Sequence, residues 1–265
     1  MSKLLEKLER ISEGNGQPMG FGPAVTRTKI SQMLTIASVR AGNAQLITVA
    51  TKEGADALLL TAENLEKDSK ALAKMNRAKA EIPWGVSLEA VSKEDIEQLI
   101  ELGCDYVIFN PAQTPAAILI EERIGKVLRI DASLPENLVK AINRLQVDAV
   151  LLSPASEDEP TFTVHQLMVL ERLAGSTGKY VLMTMPSGLS ISDIEILWGL
   201  GVRGVVVDMA GEQPEQRLSQ VKEAIQKLPT TRKKSKEKFR ATLPMASRSS
   251  EEKEKQEEEE EEEEP

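Results

Sequence analysis

Hydrophobic and polar positions fall into two alternating regimes along this chain. Amphipathic stretches of helical period lead into short, almost unbroken aliphatic runs, and four of these junctions are close copies: EGADALLL (53–60), LGCDYVIF (102–109), LQVDAVLL (145–152) and LGVRGVVV (200–207). Each reads as the end of a helix, a tight turn and a strand apolar on both faces, which is how a βαβ unit feeds a buried parallel strand. Four more apolar runs of strand length lie between them, at 33–39, 82–88, 127–131 and 180–185. That makes eight strands. The four copies recur at roughly 43 to 55 residues, the period of a two-strand module used four times.

Helix start signals stand where the pattern requires them, at Asn43, Ser92, Pro135, Thr163, Ser190 or Ser192, and Pro214. An open, doubly wound sheet would use the same units. Eight regularly spaced strands, with no glycine-rich turn after the first, predict closure into an α/β (β/α)8 barrel over residues 30–229. Ahead of it, Leu4, Leu5, Leu8 and Ile11 lie at helical spacing among charges. Residues 1–29 therefore read as an amphipathic helix and a PMGFGP lead-in (18–23), placed to plug the bottom of the barrel. Residues 230–265 change character to TRKKSKEKFR, a Ser-rich link and eight consecutive Glu. No apolar periodicity offsets chain entropy there, so a disordered charged tail is expected.

Composition narrows the picture. Aromatics make up 3% of the 265 residues and hydrophobic residues 41%, so the core is aliphatic, as barrel interiors are. A single cysteine, Cys104, excludes an internal disulfide, an iron–sulfur cluster and a Cys-x-x-Cys site. With no signal-peptide pattern and no apolar run of membrane-spanning length, a cytoplasmic location is expected. The formal charge is -9, and the tail holds nine of the basic and twelve of the acidic residues. The body is left mildly acidic, which disfavours nonspecific binding to nucleic acid or an anionic membrane. Self-association, and a protein partner for the tail, stay open.

In a (β/α)8 barrel the chemistry sits at the C-terminal ends of the strands. Alternation on the fifth strand assigns Leu128 and Ile130 to the helix side and turns Arg129 and Asp131 inward, with Asp131 the expected partner of Arg129. The pair reads either as a structural ion pair or as an anion-binding Arg beside an acid/base carboxylate. Asp208 ends the eighth strand, pointing inward beside Val206, and is either a catalytic carboxylate or a residue ordering its own loop. Asn110 ends the fourth strand before Pro111 and is a further candidate for ligand contact. No metal site is expected, since the only histidine, His165, falls near the start of a helix and reads as a surface residue.

The segment MPSGLSISDIEILWGLGVRGVVVDMAG (185–211) resembles the strand 7 to strand 8 region of the phosphate-binding TIM barrels. That group includes indole-glycerol-phosphate synthase, the tryptophan synthase α subunit, thiamine-phosphate synthase and several FMN-dependent oxidoreductases. The resemblance implies that Ser187, Gly188 and Ser190 after strand 7, and Gly211 after strand 8, bind a phosphate through backbone N–H groups and hydroxyls. The second loop departs from the group: Asp208 and Met209 stand where Gly and a small residue are expected, and a carboxylate repels a phosphate. Two functions follow. One is an enzyme on a phosphorylated small molecule, or one holding FMN by its phosphate, with Arg129 and Asp131 in the active site. The other is a non-catalytic barrel that works as a binding or scaffold protein.

Overall fold

Parallel hydrogen bonding joins the strands in chain order and returns from the last to the first, so the sheet closes on itself as an eight-stranded barrel. The structure is a computed structural model that describes residues 2–13, 31–62, 65, 68, 71–73, 82–131, 133–153, 163–186, 191–211 and 213–229. The strands are β1 (Leu34–Arg40), β2 (Ala57–Thr61), β3 (Trp84–Leu88), β4 (Tyr106–Phe109), β5 (Gly125–Asp131), β6 (Ala149–Ser153), β7 (Tyr180–Thr184) and β8 (Val202–Asp208). Each overlaps one of the eight expected runs. Around them lie α1 (Lys3–Glu13), α2 (Ala44–Lys52), α3 (Lys93–Glu101), α4 (Glu136–Ile142), α5 (Val164–Ser176), α6 (Ile191–Leu200) and α7 (Pro214–Lys227). The PMGFGP stretch and the charged tail lie outside the described residues.

The start signals act as caps. The Asn43 side chain accepts from the Leu46 N–H, and Ser92 and Thr163 form reciprocal capping boxes with Asp95 and Gln166. Pro135 precedes α4 and Pro214 occupies the first turn of α7. Ser192 lies within α6, and Ser190 is outside the described residues. Between β4 and β5 the crossover is no α-helix but a 3-10 turn, Ala116–Ile120. Lys126 on β5, only 5% exposed, pins that turn by donating its ammonium to the carbonyls of Leu119 (2.8 Å) and Glu121 (2.5 Å).

Strand alternation sorts the core into two clusters. Leu128 and Ile130 join the larger one, between sheet and helices, together with Trp84 and Trp198. Val127 belongs to the smaller cluster inside the barrel, with Ile36, Leu59, Ile108, Leu151, Leu182 and Val206. The inward register expected for Arg129 and Asp131 therefore holds. Tyr106 fills the lower interior, fully buried, with its hydroxyl donating to the Leu58 carbonyl at 2.7 Å. The neighbouring strand makes room with Gly85, where a Cβ would stand 2.4 Å from the Tyr106 ring. Cys104 lies just before β4, buried at 6% exposure.

Helix α1 closes the bottom, with Leu4, Leu8 and Ile11 packed into the interior cluster. Its first turn is held by Asp105, which accepts from the Ser2 hydroxyl (2.8 Å) and the N–H groups of Lys3 (2.7 Å) and Leu4 (2.9 Å). Those amides have no partner within their own helix, and a carboxylate suits the positive end of its dipole. Asp105 is one of three aspartates at the same point of the sequence repeat. Asp56 and Asp148 instead accept from the N–H of the strand beside them, Thr35 at 2.9 Å and Lys126 at 2.7 Å. The fourth copy has Arg203 there.

Candidate functional site

At the opposite end, the residue that follows the inward apolar layer is polar on every strand. Ser38 lies two positions past Ile36, Thr61 past Leu59, Ser87 past Gly85 and Asn110 past Ile108; Arg129, Ser153, Thr184 and Asp208 continue the ring past Val127, Leu151, Leu182 and Val206. Below the ring the floor is apolar and buried. The period of 2 along a strand forces this arrangement once the register is set.

Three strands share one network. Arg129 donates to Glu89 Oε1 at 2.5 Å and also to the Ser87 hydroxyl, while Asn110 Nδ2 reaches Glu89 Oε2 at 3.4 Å. The expected pairing of Arg129 with Asp131 does not form. Asp131 Oδ1 accepts from the Ser133 N–H (2.7 Å) and hydroxyl (2.5 Å), so it orders its own loop. The reason is geometric: residues two apart on a strand are about 6.5 to 7 Å apart along it, whereas β3 and β5 project the same layer across the mouth. The sequence does not point to Glu89 as this partner, because lateral contacts across a barrel depend on its stagger. The ion pair is open to solvent, with side-chain exposures of 28% for Arg129 and 59% for Glu89.

On the far side, Asp208 is exposed and accepts from the Ala210 N–H at 3.0 Å, an order-giving contact within its loop. Arg217, in the first turns of α7, donates to the Pro186 carbonyl just after β7. Its pKa is lowered from the ordinary value by burial, against the opposing pull of Asp208. Sequence patterning alone does not single out Arg217, since it sits on a helix and three residues past Pro214 it reads as an ordinary surface cation. Gly211 is exposed, with open space where a Cβ would be. Ser187, Gly188 and Ser190 lie outside the described residues. Asn110 also accepts from the Ala112 N–H at 3.0 Å, which ends its strand as Pro111 suggested. His165 is exposed. Among the described residues no helix is long and apolar enough to cross a membrane.

No protein-family model matches the chain. No curated protein matches it either. Solved structures do. A mutant tryptophan synthase alpha-subunit from the hyperthermophile Pyrococcus furiosus aligns with a TM-score of 0.56 at 16% identity, over 73% of this chain and 97% of that one. A ligand-free mutant tryptophan synthase from M. tuberculosis gives 0.56 at 12% identity, over 73% and 93%. A protein of Aquifex aeolicus VF5 gives 0.60 at 13% identity, over 84% and 99%. At such identities the likeness is one of fold, the closed eight-stranded barrel.

Proposed function

We propose that the protein binds a phosphorylated small molecule, or FMN by its phosphate, at the C-terminal mouth, with the phosphate on the β7/β8 side. The observation that carries this is Arg217. It is a partly buried guanidinium fixed on the carbonyl of Pro186, just after β7, and close enough to Asp208 to feel its charge. A cation desolvated at that rim is suited to an anion. Asp208 is turned to its own loop, which eases the repulsion expected of it. The likeness to tryptophan synthase structures supports the barrel fold on which this reading stands. In the catalytic form of this reading, Arg129 and Asn110 contact the ligand, while Asp131 and Asp208 are the acid/base candidates.

One observation favours the non-catalytic alternative, a binding or scaffold barrel in the cytoplasm. Both Asp131 and Asp208 accept hydrogen bonds from their own loops and order backbone instead of facing a substrate.

The test uses the full-length protein. A flavin-bound preparation is yellow as purified. Thermal-shift titration with FMN and with phosphate esters then compares wild type, Gly188→Val, Arg217→Met and Asp208→Asn. A ligand at 100 times its Kd adds about 2.7 kcal/mol of apparent stability. Binding lost in Gly188→Val and Arg217→Met, and kept or improved in Asp208→Asn, supports the site. The absence of any saturable shift overturns the phosphate reading and leaves the scaffold.

A further inference from the structure

On the outer wall of the barrel, one side of α4 is left uncovered. Glu136 lies on the side that faces α5, where it feels the charge of Arg172. At about 100° of turn per residue, Leu138 and Ala141 fall on the other side, toward the β4–β5 crossover. The crossover supplies only the 3-10 turn Ala116–Ile120 there. Leu138 stays 51% exposed and Ile120, on the turn, 76%, with Ala116, Ala117 and Ala141 exposed beside them. Between the turn and α3 runs a groove of about 440 Å³, with Ile96 and Ile118 among its lining residues. Every residue of this strip lies within the described stretches 82–131 and 133–153. Charge separates its two edges. Glu94, Glu97 and Glu101 are exposed along α3, and Glu97 is close enough to Arg123 to feel it, which sets it on the crossover side. Lys140 and Arg144 are exposed on and just past the last turn of α4.

From this we infer that the strip seats a second copy of the same chain, in a two-fold dimer whose axis runs parallel to the strands at the β4–β5 crossover. Scattered exposed apolar side chains are ordinary on a protein surface, but a contiguous strip where the outer layer is missing marks a docking face. The two-fold sets Ile120 of one protomer on the strip of its partner. It also brings the acidic α3 edge of each protomer onto the basic end of α4 in the other. An apolar centre with a charge-matched rim is the make-up of a specific interface. A two-fold axis across the strands would instead set the α3 glutamates of the two copies against each other, and like charges oppose that arrangement. The patch is used twice in such a dimer, so every substitution in it is felt at two places. Both mouths stay open, and the inference stands apart from the phosphate reading above.

Sedimentation equilibrium of the full-length protein, at concentrations up to about 100 μM, tests it. Wild type should show a monomer–dimer equilibrium. Ile120→Glu, at a side chain too exposed to matter for folding, should raise the dissociation constant about 100-fold or more. Leu138→Gln should raise it about 10-fold and serves in its place if Ile120→Glu does not fold. Glu97→Lys/Glu101→Lys should weaken the dimer about 10-fold, and adding Lys140→Glu/Arg144→Glu should restore most of the loss, because the two edges then match again with signs exchanged. A wild type that is monomeric throughout overturns the inference and leaves the strip to a helix of another protein. Association that survives Ile120→Glu and Leu138→Gln overturns it by placing the contact elsewhere, as does an assembly larger than a dimer, which this two-fold cannot build. Failure of the second charge reversal to restore association overturns the axis and the edge-to-edge pairing inferred from it.

Discussion

At the N-terminal end of the barrel Asp56, Asp105 and Asp148 each hold a neighbouring element by its backbone amides, whereas at the C-terminal end Ser38, Thr61, Ser153 and Thr184 reach the mouth with no partner among the described residues. The two ends are built from the same strands, with the same alternation. What differs is which residue type stands at the last inward position and whether a helix covers it. Stability is concentrated where polar groups are paired and covered, and recognition is possible where they are left for a ligand, the division of labour usual in this architecture.

The largest break in that comparison comes from the covered end. Removing residues 1–13 takes away Leu4 and Leu8, both 0% exposed, and Ile11, and opens the interior cluster to water. At about 1.5 to 3 kcal/mol for each buried aliphatic side chain, the loss is on the order of 5 kcal/mol, comparable with the whole stability of a typical domain. Urea unfolding should show it as a much lower midpoint or no cooperative transition. Asp105→Asn should give a milder version, about 1.5 to 3 kcal/mol, by weakening charged hydrogen bonds to Ser2, Lys3 and Leu4. A truncated protein as stable as the full chain would mean that α1 merely rests on the barrel.

The mouth should respond far less. Arg129→Met would cost roughly 3 to 5 kcal/mol if it left a carboxylate buried alone. Its partner, however, is Glu89, more than half exposed and free to rehydrate. The expected cost is therefore about 0 to 1 kcal/mol, the range of exposed ion pairs. A double-mutant cycle with Glu89→Gln should give a small coupling, and Asp131→Asn should recover nothing, because Asp131 is hydrogen-bonded to Ser133. A loss of several kcal/mol would show that the pair is buried by residues outside those described.

How much of this was legible follows from the range of the forces involved. Strand count, inward register, the caps at Asn43, Ser92 and Thr163 and the plug helix depend on local period and local hydrogen bonding, and each was readable from a dozen residues. Side-chain partners across the mouth were not. Arg129 meets Glu89 and Ser87, 40 and 42 positions away, because the stagger of the barrel brings their layers together, and a single sequence carries no measure of stagger. Arg217 was missed for a related reason: its contact with Pro186 joins a helix to a loop 31 positions earlier. The repeated aspartates were visible in the aligned segments, yet their two uses were not, since only the fold shows that Asp105 faces a helix terminus and Asp56 and Asp148 face strands.

The smallest effect expected is the pH dependence that Asp56 brings to the covered end. Burial raises the pKa of Asp56 from its ordinary 3.8, and the Thr35 N–H, Lys7 and Lys222 only partly offset it. The folded state thus holds its proton more tightly than the unfolded chain does. Stability from this group is fully present below the ordinary carboxylate value and is lost as pH rises through the elevated folded value. Asp56→Asn keeps an oxygen acceptor for the Thr35 N–H but removes the titration. Urea midpoints measured from pH 4 to 7 should therefore shift in favour of the variant as pH rises. Groups shifted the other way, such as Glu121, held at about 2 by its hydrogen bonds with Arg123, are common to both proteins and cancel in the difference. A difference that slopes in the opposite direction would mean that the amide and the two lysines outweigh burial at Asp56, making the covered end of the barrel an acid-sensitive clamp.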